Sequence, residues 1–140
     1  MRTIALMMLM TGFMTVVACG QSKPKNNVTK TTTTMDTSKL TNATVKAAFD
    51  AWQAGDAARW SSFFTSDAKL YDDGNARDFH RFVKEACGHE RFTSIDKVED
   101  DGKAIYGNFH TQSWGDFKTY FKFYLNADGK FNRLDIGQAN

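Results

Sequence analysis

The chain of 140 residues is long enough for one domain with a hydrophobic core and too short for two. Hydrophobic residues make up 41% of the sequence and charged residues 24%, which is ordinary for a globular protein. The formal net charge of +2 is unevenly spread: residues 1–40 carry five basic residues and one acidic residue, whereas residues 41–140 carry thirteen basic and fifteen acidic residues. A slightly acidic body lacks the basic face that nucleic acid requires, so this composition argues against nucleic-acid binding.

The first 18 residues have the pattern of a targeting segment and are left out of the fold. Arg2 supplies a positive start, and residues 4–17 form an apolar run interrupted only by threonine and glycine. A run of this length is shorter than the roughly 20 residues that a bilayer-spanning helix needs. It leads into VVACG at residues 16–20, with an aliphatic residue three positions before a cysteine and a small residue directly before it.

This stretch resembles the cleavage site of a bacterial lipoprotein signal. The resemblance implies a signal peptide over residues 1–18, cleavage before Cys19 and attachment of lipid to that cysteine, which would anchor the protein to a membrane. The residue after this cysteine is Gly20 and not aspartate. By analogy with other lipoproteins, this implies sorting to the periplasmic face of the outer membrane, within the bacterial cell envelope. An uncleaved signal anchor and an ordinary secretory peptide cut nearby are the alternatives. A lipidated Cys19 leaves Cys87 unpaired, and we expect Cys87 to be a small buried apolar group.

Residues 19–40 are predicted to form the lipidated cysteine and a disordered tether. Between residues 21 and 39 the composition is mostly Ser, Lys, Pro, Asn and Thr, with almost nothing to bury. The folded domain is therefore expected over residues 41–140.

Three helices are predicted in the first half of this domain. The first places Trp52 on an apolar stripe at helical spacing. The second follows Asp56, a typical N-cap residue, and carries Trp60 and Phe64 on one stripe. The third spans residues 78–87 and stops at a glycine.

Strands dominate the remainder of the domain. A short strand is predicted over residues 68–71, and four more are predicted over residues 91–99, 103–113, 117–125 and 130–137. The turns between the last four are short and rich in Asp, Asn and Gly, which forces neighbouring strands to be antiparallel. The predicted order is three helices with one early strand, followed by a meander of four strands.

This order resembles the SnoaL-like group of the nuclear-transport-factor-2-like superfamily, and two stretches carry the resemblance: AFDAWQAGDAARWSSFFTSDAKLYDDG at residues 48–74 and YFKFYLNADGKFNRLDIGQA at residues 120–139. It covers nearly all of residues 41–140. The resemblance implies an α+β fold in which a cone-shaped, strongly curved antiparallel sheet packs on three N-terminal helices and leaves a cavity at its open end. Members of the superfamily include isomerases, cyclases, dehydratases and many domains with no demonstrated reaction.

Aromatic side chains are expected to build the core and to line this cavity. Residues 117–125 alternate between an apolar side and a polar one, and the apolar rings would form a large exposed patch unless they faced inward. The candidates for the ligand pocket are Trp52, Trp60, Phe64, Tyr71, Phe82, Phe109, Phe121, Phe123 and Asp135.

Asp73 and His110 are the candidate catalytic residues. Enzymes of this superfamily place a carboxylate, histidine or tyrosine in an apolar cavity, where desolvation shifts its pKa. Simple strand alternation points His110 outward, and Asp73 fits a turn equally well. For Asp135, a salt bridge with Arg133 is the alternative. The chain has no phosphate-binding glycine loop, no CxxC pair and no histidine spacing typical of metal ligands, so neither a cofactor nor a metal is predicted.

The polar side of the same strands carries exposed aromatic residues, the composition of a protein interface, and we expect a homodimer through them: Tyr106, Trp114, Tyr120 and Tyr124. The sequence as a whole predicts a membrane-anchored domain that binds a small, mostly apolar ligand without strong catalysis. An enzyme of the isomerase, cyclase or dehydratase kind and a protein-interaction module are the alternatives.

Overall fold

Three helices and six strands make up residues 35–140, which are the residues that the structure, a computed structural model, describes. The helices are α1 (Ala43–Gln53), α2 (Ala57–Ser62) and α3 (Phe79–Ala86). The strands are β1 (Phe64–Asp72), β2 (Asn75–Arg77), β3 (Arg91–Glu99), β4 (Ala104–Thr111), β5 (Gly115–Leu125) and β6 (Phe131–Gln138). The predicted signal peptide, Cys19 and most of the predicted tether lie outside the described residues.

The strands form one sheet in the order β2-β1-β6-β5-β4-β3. Neighbouring strands are antiparallel, except that β1 and β6 run parallel. The predicted α+β fold, with a sheet packed on three helices, is confirmed, but the prediction of a purely antiparallel sheet is wrong. The antiparallel sheet was implied by the resemblance. The short turns predict antiparallel pairing of the last four strands, β3 to β6, and this is confirmed, whereas β1 and β6 are far apart in the sequence and no turn dictates their direction. Register shifts between β1 and β6 and between β3 and β4 mark irregularities at which such a sheet bends.

A polar side chain caps the start of each helix. The Asn42 side chain accepts hydrogen bonds from two backbone N–H groups of α1 at 3.1 Å. Asp56 accepts one from the first turn of α2 at 3.0 Å, and Asp78 accepts one from α3 at 2.7 Å. Each of these side chains satisfies N–H groups that have no partner within the helix, which is why the helices begin at these residues.

The second helix ends earlier than predicted, and the strand after it is longer. Phe64 is the first residue of β1, so its assignment to the helical stripe is wrong. The backbone oxygen of Phe63 accepts a hydrogen bond from Phe131 N at 2.9 Å, and Phe64 pairs with Phe131 of β6. Pairing with the last strand therefore takes the chain out of the helix, and β1 runs over Phe64–Asp72 instead of residues 68–71.

The short strand β2 was not predicted. Asp73 and Gly74 have φ values of 48° and 81°, and two consecutive left-handed residues make the tight turn of a β-hairpin. The turn returns the chain antiparallel to β1, so that Asp72 pairs with Asn75. The sequence did predict a turn at this position, but not the strand that follows it.

The chain just before α1 packs on the domain. Leu40 is buried, Met35 lies against the hydrophobic core, and Lys39 Nζ donates a hydrogen bond to the backbone oxygen of Asp96 at 2.7 Å. The packed part of the chain thus starts before residue 41, the predicted boundary. Over residues 35–140 the structure contains no helix with the length and apolar character needed to cross a membrane.

Aromatic rings fill the space between the helices and the core face of the sheet. The Trp52 ring lies at the centre, with its centroid 4.8 Å from that of Trp60 and 5.4 Å from that of Phe82, which stacks on it. On the sheet side, Phe121 and Phe109 lie 5.6 and 6.5 Å away. Each such pair contributes about 0.5–1.5 kcal/mol beyond the burial of its area, so these rings fix the helices on the sheet.

Two glycines allow the end of α1 to touch the end of α3. Gly55 and Gly88 both have left-handed backbones, with φ of 70° and 87°. A Cβ atom added to Gly55 would lie 2.9 Å from the Cα atom of Gly88, closer than real Cβ atoms come to backbone. The contact therefore depends on the absence of a side chain at residue 55.

We expect Gly55→Ala to lower the free energy of unfolding more than Gly129→Ala does. Gly129 has a similar φ of 74° but open space around it, so alanine there brings only the backbone strain, about 1–2 kcal/mol. Alanine at residue 55 adds a backbone collision, which costs about 1–3 kcal/mol more. Denaturant unfolding of both variants measures the difference. Equal losses would show that the contact between the two glycines does not constrain the fold.

Candidate functional site

An aromatic cavity of about 430 Å³ opens where α3, the β1–β2 hairpin and the β4–β5 turn come together. Its aromatic walls come from four elements and are formed by Phe82, Phe109, Trp114, Phe117 and Phe121, and Ile136 on β6 adds an apolar side chain. Phe117 and Phe121 lie on the core side of β5, as its alternating burial shows. We call this space the aromatic cavity.

Two buried threonines lie in the wall of the aromatic cavity, and both hydroxyl groups have protein partners. Thr119 Oγ1 donates a hydrogen bond to the backbone oxygen of Gly137 at 2.7 Å, which ties β5 to β6. Thr111 Oγ1 accepts one from the backbone N–H of Trp114 at 2.8 Å, which fixes the β4–β5 turn. These hydroxyl groups therefore hold the shape of the wall.

Glu90 is the carboxylate at the aromatic cavity that has no partner within residues 35–140. It is half-buried between α3 and β3, and none of the hydrogen bonds or ion pairs of the described residues involves its carboxylate. Burial raises the pKa of Glu90, and the nearby charge of Asp72 adds to this effect, while Arg77 and His89 oppose it. Glu90 is thus a carboxyl group that can accept or release a proton nearer neutral pH than a free glutamate can.

Arg77, the cation of this cavity wall, is already bound by other groups. Its Nη1 lies 2.8 Å from Asp72 Oδ2 and its Nη2 lies 3.5 Å from Glu85 Oε2. The guanidinium carbon also lies 5.0 Å from the centre of the Phe82 ring, a cation–π contact. Arg77 therefore closes one side of the cavity, and its charge acts on Glu90 without an ion pair between the two side chains.

Asp73, a candidate catalytic residue, lies at the rim of the aromatic cavity with one oxygen occupied. Its Oδ1 accepts a hydrogen bond from Gln138 N at 2.9 Å. Asp73 Oδ1 and the Tyr120 hydroxyl oxygen both lie close to Gly137. A Cβ atom at residue 137 would collide with these two oxygens. Burial and the charge of Asp73 raise the pKa of Tyr120. The left-handed turn thus holds the Asp73 carboxylate against the end of β6.

A second, more polar space of about 350 Å³ lies beside the end of α1, and we call it the polar cleft. Gln53 forms its wall and makes two hydrogen bonds of 2.8 Å with the backbone of Phe92. Glu90 borders both this cleft and the aromatic cavity. The Trp52 indole N–H is buried without a hydrogen-bond partner within residues 35–140. The full lining is Trp52, Gln53, Ala54, Gly55, Gly88, His89, Glu90, Arg91, His110 and Gln112.

His110, the other candidate catalytic residue, borders the polar cleft and not the aromatic cavity. Burial alternates along β4, which puts His110 on the same side of the strand as Tyr106, away from the core. Its Nδ1 lies 2.6 Å from Asp116 Oδ1 on β5. The structure therefore separates Asp73 and His110 into different sites.

The other candidates for the ligand pocket fall into three groups. Phe82, Phe109 and Phe121 line the aromatic cavity, and Trp52 lines the polar cleft. A second group is buried in the core and lines neither space because other rings surround it: Trp60, Phe64 and Phe123.

Tyr71 and Asp135 form the third group and lie on the face of the sheet opposite the core. Both contact Arg133, whose guanidinium carbon is 4.5 Å from the Tyr71 ring centre and whose Nε is 2.7 Å from Asp135 Oδ1. The salt bridge that was the alternative for Asp135 is confirmed. Neither residue lines the aromatic cavity or the polar cleft.

Three of the four interface candidates share this outer face: Tyr106, Tyr120 and Tyr124. Trp114 does not, because the turn between β4 and β5 brings it to the mouth of the aromatic cavity, where it remains 83% exposed.

Cys87 is buried, as predicted, and burial raises the pKa of its thiol. Within residues 35–140 no three His, Cys, Asp or Glu side chains come close enough together to hold a metal ion.

No protein-family model matches the sequence, and no curated protein is significantly similar to it. Solved structures do match. An NTF2-like protein of unknown function from Cytophaga hutchinsonii superposes with a TM-score of 0.59 at 10% identity, over 71% of this chain and 89% of that one. The chain has the nuclear-transport-factor-2-like fold. A putative ketosteroid isomerase from Kribbella flavida superposes with a TM-score of 0.57 at 16% identity, over 72% of this chain and 78% of that one.

A further structure with this nuclear-transport-factor-2-like fold is the Orange Carotenoid Protein of Anabaena (Nostoc) binding canthaxanthin. It superposes with a TM-score of 0.51 at 22% identity, over 68% of this chain but 35% of that longer one. Identities this low show a shared fold and leave function to be argued from the site.

Within the nuclear-transport-factor-2-like domain, Glu90 is the group that sequence reasoning missed. It stands between Gly88, which follows α3, and Phe92, the first buried residue of β3. A glutamate between a helix stop and a buried strand was the available signal. What distinguishes it from the exposed carboxylates, partial burial without a partner, is a property of the folded chain.

We expect Glu90→Gln to raise the free energy of unfolding at pH 7. Because folding raises the pKa of Glu90 above its ordinary value of 4.5, stability falls as the pH rises through the window between the unfolded and folded pKa values. Above that window the folded state carries the full cost of the charge, which glutamine removes. The gain should disappear below about pH 4, where both states are protonated. Thermal unfolding across this pH range measures it.

Glu85→Gln is the matched control, with the opposite sign. Hydrogen bonds from Arg81 and Arg77 lower the pKa of Glu85, so its charge stabilises the fold above the unfolded pKa and this contribution is lost as the pH falls. Removing that charge should lower the unfolding temperature at pH 7. Losses for both variants would contradict the assignment of Glu90 as an unpaired, desolvated carboxylate.

Proposed function

We propose that this domain binds a small, mostly apolar ligand in the aromatic cavity, without strong catalysis. The observation that carries the proposal is a space of about 430 Å³ with walls of Phe82, Phe109, Phe117 and Phe121. Ligand sites in proteins are typically clefts of roughly 300–1,000 Å³ with aromatic linings and a few polar groups that fix orientation. The aromatic cavity has this size and this composition.

The arrangement of the polar groups favours binding over catalysis. Acid–base sites commonly combine a base with a second group that stabilises the charge developing on the same substrate. Asp73 has one oxygen bound to Gln138 N, and His110 is paired with Asp116 outside the aromatic cavity. Among the described residues this leaves Glu90 as the acid–base group that borders the cavity without a partner. A single such group can orient a ligand, and it gives no pair for proton transfer.

The fold comparison supports the same proposal. Among the structures that superpose on this chain, one is described as binding canthaxanthin, with the match covering 35% of its length, and another as a putative ketosteroid isomerase. Function does not follow from the fold, and the proposal for this chain therefore depends on the lining of its own cavity.

N-phenyl-1-naphthylamine, a neutral aromatic probe that fluoresces in apolar surroundings, should bind the mature chain (residues 19–140 with Cys19→Ser, expressed without the signal peptide). Phe117→Ala should weaken this binding about tenfold, since loss of a contacting aromatic side chain costs on the order of 1.4 kcal/mol or more. Phe117 is only partly buried, so the fold should tolerate the change. Fluorescence titration gives both dissociation constants.

Tyr124→Ala provides the control, because Tyr124 is an exposed aromatic on the opposite face of the same strand. It should leave the affinity for the probe unchanged. The proposal fails if the mature chain does not enhance probe fluorescence, or if Tyr124→Ala weakens binding as much as Phe117→Ala does.

We also propose that lipid on Cys19 holds the domain at the periplasmic face of a bacterial outer membrane. These residues lie outside the part of the chain that the structure describes, so the support comes from the sequence: VVACG at residues 16–20 and the apolar run before it. Several acyl chains together anchor a protein far more firmly than one.

In a bacterial host, the wild-type chain should enter the membrane fraction and gain the mass of attached lipid. Cys19→Ser should lose the lipid mass and retain the signal peptide. Cys87→Ser, which changes the buried cysteine, should be lipidated normally. Mass spectrometry of the purified chains measures the added mass of lipid. A wild-type chain without lipid would contradict the proposed anchor.

A further inference from the structure

The aromatic cavity carries negative charge that a purely apolar ligand would leave without a partner. Three carboxylates line it, those of Asp72, Asp73 and Glu90, against the single cation Arg77. Arg77 is shared between Asp72 at 2.8 Å and Glu85 at 3.5 Å. The charges that remain around the cavity are therefore predominantly negative.

Among these carboxylates, Glu90 is the one without a hydrogen bond or ion pair to compensate its negative charge. A half-buried carboxylate without a hydrogen bond or cation is costly in its ionised form, which is why burial raises its pKa. Two events relieve that cost: uptake of a proton, or the arrival of a positively charged partner. Arg77 acts on Glu90 only through space, because Asp72 and Glu85 hold its guanidinium, and no described residue donates a hydrogen bond or forms an ion pair with the Glu90 carboxylate. A ligand can supply this direct contact.

The cavity walls suit such a ligand as well. The faces of aromatic rings carry negative electrostatic potential and attract cations within about 6 Å of the ring centre. The chain already uses this attraction at Phe82, which Arg77 covers at 5.0 Å. The Phe109 ring is inclined by 64° to Phe117 and by 49° to Phe121, so the rings surround the space instead of forming one flat stack.

We infer that the ligand of the aromatic cavity is an organic cation, with an ammonium group near Glu90 and an apolar body against the rings. The inference rests on the proposed function and specifies the chemical class of the ligand. A carboxylate together with a set of differently inclined rings matches both parts of such a molecule, because the carboxylate pairs with the charge and the rings contact the surrounding methyl or methylene groups. A neutral molecule of the same shape would use the rings alone.

Two probes of identical shape test the inference. Phenyltrimethylammonium carries a positive charge, and tert-butylbenzene is its neutral counterpart. Each is titrated against the mature chain with bound N-phenyl-1-naphthylamine, and displacement of that probe reports the affinity. Phenyltrimethylammonium should displace the probe, and added sodium chloride should weaken its binding more than that of tert-butylbenzene, since salt screens the charge interaction.

Glu90→Gln keeps the shape of the side chain and removes its charge. It should weaken the binding of phenyltrimethylammonium about tenfold, the effect of losing one charge-assisted contact, while leaving tert-butylbenzene bound as well as before. Glu99→Gln is the matched control: Glu99 pairs with Lys97 at the far end of β3, and its loss changes the net charge equally. It should leave both affinities unchanged.

The possible results separate this inference from the proposed function. If N-phenyl-1-naphthylamine does not bind at all, the proposed ligand site itself is wrong. If it binds and only tert-butylbenzene displaces it, or if Glu90→Gln weakens both compounds equally or neither, the organic cation is wrong and an apolar site remains. Thermal unfolding of Glu90→Gln verifies that the variant is folded.

Discussion

The packing of Trp52 against rings from two other helices and two strands is the constraint on which the rest of this structure depends. Its ring lies within 5.4 Å of Trp60 on α2 and Phe82 on α3, and it contacts Phe121 and Phe109 on the sheet. Interiors are packed as densely as organic crystals, so such a cluster admits few alternative arrangements. The position of each helix on the sheet, and hence the space left beyond the cluster, follows from these contacts.

Three of these rings have two roles at once. Phe82, Phe109 and Phe121 contact Trp52 on one side and line the aromatic cavity on the other. A change at any of them alters both the stability of the fold and the shape of the cavity. Ligand selectivity is therefore more readily adjusted by residues outside the cluster, such as Glu90 and the exposed Trp114 at the cavity mouth.

Features set by neighbouring residues were predictable from the sequence, and features set by distant ones were not. Asp56 caps α2, and the alternation along β5 correctly placed Phe121 and Phe123 in the core. The end of α2 at Ser62 was missed because Phe64 is drawn into the sheet by pairing with Phe131, far along the chain. The cavity was expected from the resemblance, but its unpartnered carboxylate could be recognised only once the neighbours of each acid were known.

The aromatic rings on the two faces of the sheet differ in their contacts with cations. On the outer face, the chain's own cations cover the tyrosines: Lys97 lies 4.4 Å from the Tyr106 ring centre and Lys122 lies 5.1 Å from that of Tyr120. These rings already have partners, so aromatic composition alone gives little reason for a second copy of the chain to bind there, and the homodimer stays a prediction.

In the aromatic cavity, within the described residues, a cation covers Phe82 alone, while Phe109, Phe117 and Phe121 have none. Buried core rings such as Phe109 and Phe121 pack against other rings and need no cation. Partly buried Phe117 and exposed Trp114 lie in the same cavity as Glu90, and this part of the wall is where a positively charged ligand would meet both rings and carboxylate.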